Sequence, residues 1–411
     1  MYVPRELEKE LQKYLPAKEI IAIAGARQCG KTTLILNLLH HLESKKRVKA
    51  LSFDDVKTLS LFENDLDSFC QLYVKDYDIL FLDEVQYAKE SGKKLKHIYD
   101  TFPIKIIISG SSSSELSIQS LKYLVGRIFI FNLYPFSFKE FLLARNPHLV
   151  PLYEKATYGE EITAELNTQL GEFILFGGYP RVVLAKTHEE KITVLKNIMN
   201  TYLLREIKEV LGLKEDFKLL KLMKALSLQI GNLVNYTELS QLSEFSYPDV
   251  KNYLNILEKT FICSLLCPFQ SNKRTELVKN PKMYFYDFGF RNIVIDNFSV
   301  ERADIGGMHE NFVFSELVKN NLAPKYWRTK SKAEVDFVLE KGKEVIPIDV
   351  KSSLSETNLT RSFQSFLEKY SPKTGFITSS QFEERRKVAH GTIQFVPHVK
   401  LLPRLKAYLK K

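Results

Sequence analysis

Gly25-Ala26-Arg27-Gln28-Cys29-Gly30-Lys31-Thr32 is the run whose spacing most directly specifies chemistry. Two glycines flanking four residues, then a lysine and a hydroxyl, fit a loop whose backbone amides turn inward on a chain of phosphates. The glycines let the backbone curl, and a helix starting near Lys31 adds the positive end of its dipole. Lys31 brings a point charge to the β- and γ-phosphates, the Thr32 hydroxyl ligates Mg²⁺, and Thr33 extends the set of contacts. A second run, Tyr77-Asp78-Ile79-Leu80-Phe81-Leu82-Asp83-Glu84, ends an apolar stretch in paired carboxylates. Asp83 there can hold Mg²⁺ through water, and Glu84 can polarise an attacking water. Ser109-Gly110-Ser111-Ser112 closes the next apolar run. A hydroxyl at that point can reach the γ-phosphate, or the serines form a plain polar loop.

Near the other end, Glu334-Val335-Asp336 and Ile348-Asp349-Val350-Lys351 flank a Lys341-Gly342-Lys343 turn and read as a hairpin. Asp349 and Lys351, two apart on a strand, share a face, and Asp336 on the partner strand can lie beside them. Two carboxylates holding Mg²⁺, with Lys351 orienting water, is the arrangement of metal-assisted phosphodiester cleavage. Glu310 on the preceding helix can add a carboxylate. A cross-strand ion pair on a solvated face is the plainer account of the same residues.

The elements that must position these groups follow from periodicity. Glu19–Ala24, Val48–Phe53, Ile79–Leu82, Ile104–Ser109 and Ile128–Asn132 are compact apolar runs, the mark of strands buried on both faces by helices. The first part is therefore α/β, a doubly wound parallel sheet of P-loop NTPase type, over 1–150. Helical spacing dominates 151–230. Over 231–300, helices at Tyr236–Leu242 and Tyr247–Glu258 followed by a strand at Phe261–Leu266 outline a winged helix-turn-helix. Its recognition helix would turn Lys251, Asn252 and Tyr253 toward DNA, with Asn272-Lys273-Arg274 nearby, or it serves as a spacer. A break near Gly306-Gly307 opens a C-terminal α/β domain over 301–411. It has a helix at Glu310–Asn320, strands at Lys325–Arg328, Glu334–Glu340 and Val345–Lys351, and a helix near Thr360–Tyr370.

Bulk composition bounds the reading. At about 150 residues per domain, 411 residues make two or three domains. Apolar residues at 45% and charged ones at 26% mark a globular chain rather than a disordered one. No run approaches the roughly 18 apolar residues of a membrane helix, and Arg5, Glu6, Glu8, Lys9 and Glu10 interrupt the apolar stretch expected of a secretory signal. A cytoplasmic protein without membrane contact is expected. The four cysteines are expected as small buried hydrophobes. The net charge of +10, from 59 basic and 49 acidic residues, suits a nucleic-acid partner or simple lysine-rich solubility.

Gly25 to Thr33, Leu82-Asp83-Glu84-Val85-Gln86, the Ser-Gly-Ser-Ser turn, and Gly126-Arg127 followed by Leu133 to Phe141 together resemble the AAA+ superfamily ATPases of archaea and bacteria. Gly177-Gly178-Tyr179-Pro180 and Tyr284-Phe285-Tyr286-Asp287-Phe288-Gly289 extend the likeness to the branch with a C-terminal nuclease-like domain. The resemblance implies ATP as the nucleotide and Ser111 or Ser109 as a sensor. It also implies Arg127 as an arginine finger or sensor, in its own or a neighbouring subunit of a homo-oligomer; a salt bridge at a domain edge explains Arg127 equally well. The C-terminal order of elements resembles the PD-(D/E)xK nuclease fold. On that resemblance Asp336 is the first acidic residue, Asp349 the second, Lys351 the lysine, and Glu310, or alternatively Glu316, the helix glutamate. The expected function is an ATPase coupled to a metal-dependent nuclease-like domain on DNA. The alternative is a nucleotide-dependent DNA- or protein-binding module whose nuclease-like domain is inactive.

Overall fold

The apolar runs of the first part fold as strands with helices on both faces. The computed structural model describes residues 2–111, 122–208, 212–213, 216–270, 272, 274, 276 and 279–410. In it β1 (Ile20–Gly25), β2 (Val48–Ser52), β3 (Ile79–Asp83), β4 (Lys105–Ser111) and β5 (Ile128–Leu133) form one sheet in the order β2-β3-β4-β1-β5. All of its pairings are parallel, as a P-loop α/β fold requires. Every residue of β3 is buried. Phe62 of helix Val56–Asn64 packs on Phe53 at 4.8 Å between ring centroids and on Phe69 of helix Leu66–Tyr73 at 5.1 Å, sealing one face. Because all five strands run the same way, the segments leaving β1, β3 and β4 emerge at one edge.

Two compact units are present. The first takes the described residues of 1–136, 201–214 and 259–261; the second takes those of 137–200, 215–258 and 262–411. The edge expected near 150 thus falls at 136, and most of the three later segments share one unit. Phe138 gives the reason. Its ring lies 5.6 Å from those of Tyr153 and Phe173 and 5.7 Å from Phe312, so helix Phe138–Arg145 belongs to the second core.

In the second unit, helices Tyr236–Ser243 and Tyr247–Lys259 lead into β6 (Cys263–Leu266), which pairs antiparallel with β7 (Lys282–Phe285). Lys251 and Asn252 are exposed. Tyr253 is not: it is buried with its ring 4.7 Å from Phe245, because the apolar stripe of this helix includes it. Lys273 lies outside the described residues. Of the cysteines, Cys29, Cys70 and Cys263 are buried as expected, while Cys267, at the end of the β6 run, is exposed.

The C-terminal sheet contains β8 (Lys325–Arg328), β9 (Glu334–Lys341), β10 (Glu344–Val350), β11 (Thr374–Ser379), β12 (Glu384–Val388) and β13 (Gly391–Pro397). Its order is β12-β13-β11-β10-β9-β8, with β10, β11 and β13 parallel and the other pairings antiparallel. Trp327, Val335, Phe366 and Phe395 form its core. Gly306-Gly307, expected as a break, lies instead in the first turn of helix Ile305–Lys319. A Cβ on Gly307 would sit 3.1 Å from Ile230 Cγ2 and one on Gly306 3.2 Å from Ser352 Oγ, so the pair permits close approach rather than a linker. Gly177 has a comparable cause. Its φ is +77°, and a Cβ there would meet Asp287 Oδ1 at 2.3 Å. Buried Asp287 accepts the Gly178 N–H at 2.7 Å and the Phe290 N–H at 2.9 Å. The Gly-Gly-Tyr-Pro and Tyr-Asp-Phe-Gly motifs therefore pin two segments of this unit together.

Candidate nucleotide site and the C-terminal charge cluster

β1 ends at Gly25, in register with Leu133 on β5. A Cβ on Gly25 would stand 2.2 Å from the Leu133 carbonyl oxygen, so only glycine fits. The chain then turns through left-handed Gln28 (φ +62°) and Gly30 (φ +96°) into helix Lys31–His40. Arg27, Gln28, Thr32 and Thr33 are exposed, whereas Ala26, Cys29 and Lys31 are buried. Burial pushes the Cys29 thiol above its ordinary pKa, so it remains a neutral part of the loop's underside. Lys31 Nζ folds back over the loop and donates to the carbonyls of Gly25 (2.9 Å) and Ala26 (3.1 Å).

Asp83, at the end of β3, is the hub of the site and only 6% exposed. Thr32 Oγ1 donates to its Oδ2 at 2.6 Å. Its Oδ1 accepts the Ser109 hydroxyl and, at 3.0 Å, the Glu84 N–H. Glu84 has φ +54°, a left-handed conformation that a non-glycine residue adopts only when its surroundings hold it there. Gln86 Nε2 donates to Glu84 Oε2, and Gly110 leaves room for Gln86: a Cβ there would lie 2.6 Å from Gln86 Oε1. The oxygen donors Thr32 and Asp83 adjoin, and the glycine cradle faces them; this set fits a hard divalent cation beside a triphosphate.

The structure brings together Gly25–Thr33, Asp83, Glu84 and Ser109. Ser112 and the side chain of Ser111 lie outside the described residues. Arg127 is not brought to the loop within this chain. Its carbonyl accepts the N–H of Ile20, at the far end of β1. Gly25 lies five residue steps along the strand from Ile20, about 17 Å at 3.3 Å per residue. Its guanidinium pairs with Asp100 at 3.0 Å, the edge ion pair anticipated as the alternative.

Arg5 escaped the sequence reading. Though 6% exposed, it donates to the carbonyls of Cys29 (2.8 Å) and Tyr134 (2.6 Å), with its guanidinium carbon 4.8 Å from the centre of the Phe136 ring. It fastens the phosphate loop to the segment after β5. Side-chain bonds to distant carbonyls leave no sequence motif; the only signal was an arginine ahead of an amphipathic helix.

In the second unit Glu310, Asp336, Asp349 and Lys351 converge. Asp349 is buried and pairs with Lys351 at 2.8 Å, and Asp336 Oδ2 accepts the Val350 N–H at 2.8 Å. Burial first, and the neighbouring Asp336 charge second, raise the Asp349 pKa well above the usual aspartate range. Glu310 is raised for the same two reasons. Glu316, the alternative, lies elsewhere and accepts the Phe138 N–H at 2.9 Å. Two of the expected ligands, Glu310 and Asp336, together with Glu334, instead surround an ammonium group: Lys282 Nζ is 2.9 Å from Glu310, 2.5 Å from Glu334 and 3.8 Å from Asp336. Burial pulls the Lys282 pKa down, but these carboxylates outweigh it and leave the group above the ordinary lysine value. Tyr284 donates to Glu310. Among the described residues, no group of three or more His, Cys, Asp or Glu side chains is arranged to hold a metal ion. Lys282 and Tyr284, missed as site residues, alternate on one face of β7, and that spacing was their available signal. No helix among the described residues is long and apolar enough to cross a membrane.

Comparison with known proteins separates three regions. Residues 17–142 match a family described as an AAA domain, and residues 167–301 and 305–399 match two domains of unknown function, DUF8612 and DUF4143. An uncharacterized Haemophilus influenzae protein is 26% identical over 396 residues, covering 92% of this chain and 94% of its own. An uncharacterized protein of Methanocaldococcus jannaschii is 26% identical over 372 residues, covering 88% and 80%. Among solved structures, a Walker-type ATPase of Pyrococcus abyssi aligns with 72% of this chain and 96% of its own at 14% identity and a TM-score of 0.43. With the loop geometry above, the match over residues 17–142 supports an AAA-type P-loop ATPase in the first part of this chain.

Proposed function

We propose that this chain binds Mg-ATP on Gly25–Thr33 and hydrolyses it. The observation that carries this reading is the hydrogen bond of 2.6 Å between Thr32 Oγ1 and Asp83 Oδ2, in front of a loop capped by Lys31. Thr32 and Asp83 would hold Mg²⁺, which supplies charge stabilisation at the β- and γ-phosphate oxygens. Backbone amides of the loop bind the phosphates. Lys31 exchanges its two carbonyl partners for phosphate oxygens, which are stronger acceptors. Glu84, its carboxylate oriented by Gln86, takes the role of general base toward the attacking water. Ser109 fixes the rotamer of Asp83, and Ser111 at the end of β4 is the second sensor candidate. An arginine-finger role for Arg127 belongs to the nucleotide of a neighbouring subunit. Purified full-length protein should turn over ATP. Lys31→Ala should lose both binding and turnover, and Glu84→Gln should keep binding while turnover falls to background. Normal turnover in both variants refutes the assignment.

For the second unit we propose a PD-(D/E)xK-like sheet domain that the nucleotide cycle works upon, used to bind DNA or a protein partner rather than to cut. The ammonium of Lys282 among the carboxylates favours this over the cleaving alternative. Exposed Lys251 and Asn252 on helix Tyr247–Lys259, in a winged-helix-like order of elements, supply the candidate DNA-facing groups.

A further inference from the structure

We propose that Lys282 is a built-in replacement for a divalent cation: its ammonium fills the centre formed by Glu310, Glu334 and Asp336, and this nuclease-like cluster therefore binds neither Mg²⁺ nor Mn²⁺. The inference rests on the reading of the C-terminal sheet as nuclease-like, and goes beyond it by assigning what occupies the centre.

Three observations support it. First, Nζ has carboxylate oxygens from three residues within 4 Å, those of Glu310 and Glu334 at hydrogen-bonding distance and that of Asp336 farther off at 3.8 Å. Magnesium needs near-octahedral oxygens at about 2.0–2.1 Å and would compete for the same lone pairs beside a fixed positive charge. Second, Lys282 cannot swing away to make room. Its side chain is 3% exposed, and its backbone is held between β6, through pairing with Leu266, and Leu233 on the other side. Tyr284, on the same face of β7, donates to Glu310 and holds that carboxylate toward the lysine. Third, the charges already nearly cancel. With every carboxylate ionised, Glu310, Glu334, Asp336 and Asp349 give −4, while Lys282, Lys351 and Arg328, the last bound to Glu334 at 2.9 Å, give +3, leaving −1, and a proton held on Asp349 or Glu310 leaves less. A divalent ion would overshoot to +1 or beyond. Without Lys282 the fully ionised cluster would carry −2, which one divalent ion neutralises. Gly231 packs closely on the same carboxylate, since a Cβ there would lie 3.0 Å from Glu310 Oε2.

The test is Mn²⁺ binding to the full chain without nucleotide, followed by electron paramagnetic resonance in an Asp83→Asn background that silences the ATP site. The wild-type cluster should take up no Mn²⁺ that depends on Asp349. Lys282→Met should gain one Mn²⁺ site, at least tenfold tighter than any wild-type binding, and Asp349→Asn should abolish it. Should the single variant fail to fold by circular dichroism, Lys282→Met with Glu334→Gln removes one charge of each sign and serves in its place. Wild-type binding that vanishes with Asp349→Asn overturns the role of Lys282 and leaves the nuclease-like reading intact. Absence of binding in wild type and folded variants alike overturns both.

Discussion

Replacing Arg5 with alanine separates a phosphate loop that is held in shape from one shaped only by its own glycines. The wild-type guanidinium makes two charge-assisted bonds to backbone carbonyls, at 2.8 Å to Cys29 and 2.6 Å to Tyr134. Each such bond contributes about 1.5–3 kcal/mol, and its loss strands a buried carbonyl. The cost of burying the guanidinium is recovered on truncation, which brings the expected loss to the lower end of the doubled range, about 3 kcal/mol. Part of that loss should reappear in ligand binding, because a loosened loop must be ordered by the triphosphate itself. If half does so, about 1.5 kcal/mol, affinity falls roughly tenfold. Titration calorimetry with a non-hydrolysable ATP analogue and Mg²⁺ reads the affinity, and urea unfolding reads the stability. Arg5→Lys should fall between, since an ammonium cannot span both carbonyls as the planar fork does. An Arg5→Ala protein with unchanged unfolding midpoint and a Kd within twofold of wild type would refute the reasoning.

Ser109→Ala removes one of three donors to Asp83, so the carboxylate is less firmly aimed while the loop itself is untouched. Turnover should fall about tenfold, equivalent to about 1.4 kcal/mol of transition-state stabilisation, with ATP affinity within threefold of wild type in a coupled ATPase assay; an unchanged kcat would remove Ser109 from the site. The second unit should weaken in mild acid. His309 and His398 have ring centroids 4.4 Å apart, and burial holds both below the ordinary 6.5, His309 at about 4 and His398 well below, with the His309 charge adding to the latter. The unfolded chain takes up protons that the folded one refuses, so stability is full above about pH 7 and declines from 6.5 toward 4, by about 1.4 kcal/mol per pH unit for each histidine. Thermal unfolding of His309→Phe/His398→Phe should be flatter across that window, and an equal slope in wild type and variant would exclude the pair as its cause.

The residues that the sequence disclosed and those it hid differ in how far apart their partners lie. Gly25, Gly30, Lys31 and Thr32 act through one loop, so fixed spacing along the chain is their geometry, and chain order alone sufficed to find them. Asp83 and Ser109 end neighbouring parallel strands, and buried apolar runs announced those strands. Strand direction also bore on Arg127. It precedes β5, so in a parallel sheet it stands at the opposite edge from the loops that follow β1 and β3, and a motif match took no account of that. Arg5 and Lys282 were harder to find. One bonds carbonyls 24 and 129 residues away; the other meets carboxylates on a helix and a strand whose placement depends on the whole second unit. Yet Lys282 shows what a local reading of the C-terminal hairpin lacks. Asp336, Asp349 and Lys351 carry one net negative charge between them, which invites a cation, and no inspection of that hairpin reveals that β7 has already delivered one. Whether such a cluster is a metal site is therefore decided by the sum of charges that folding brings together, not by the acidic residues of one motif.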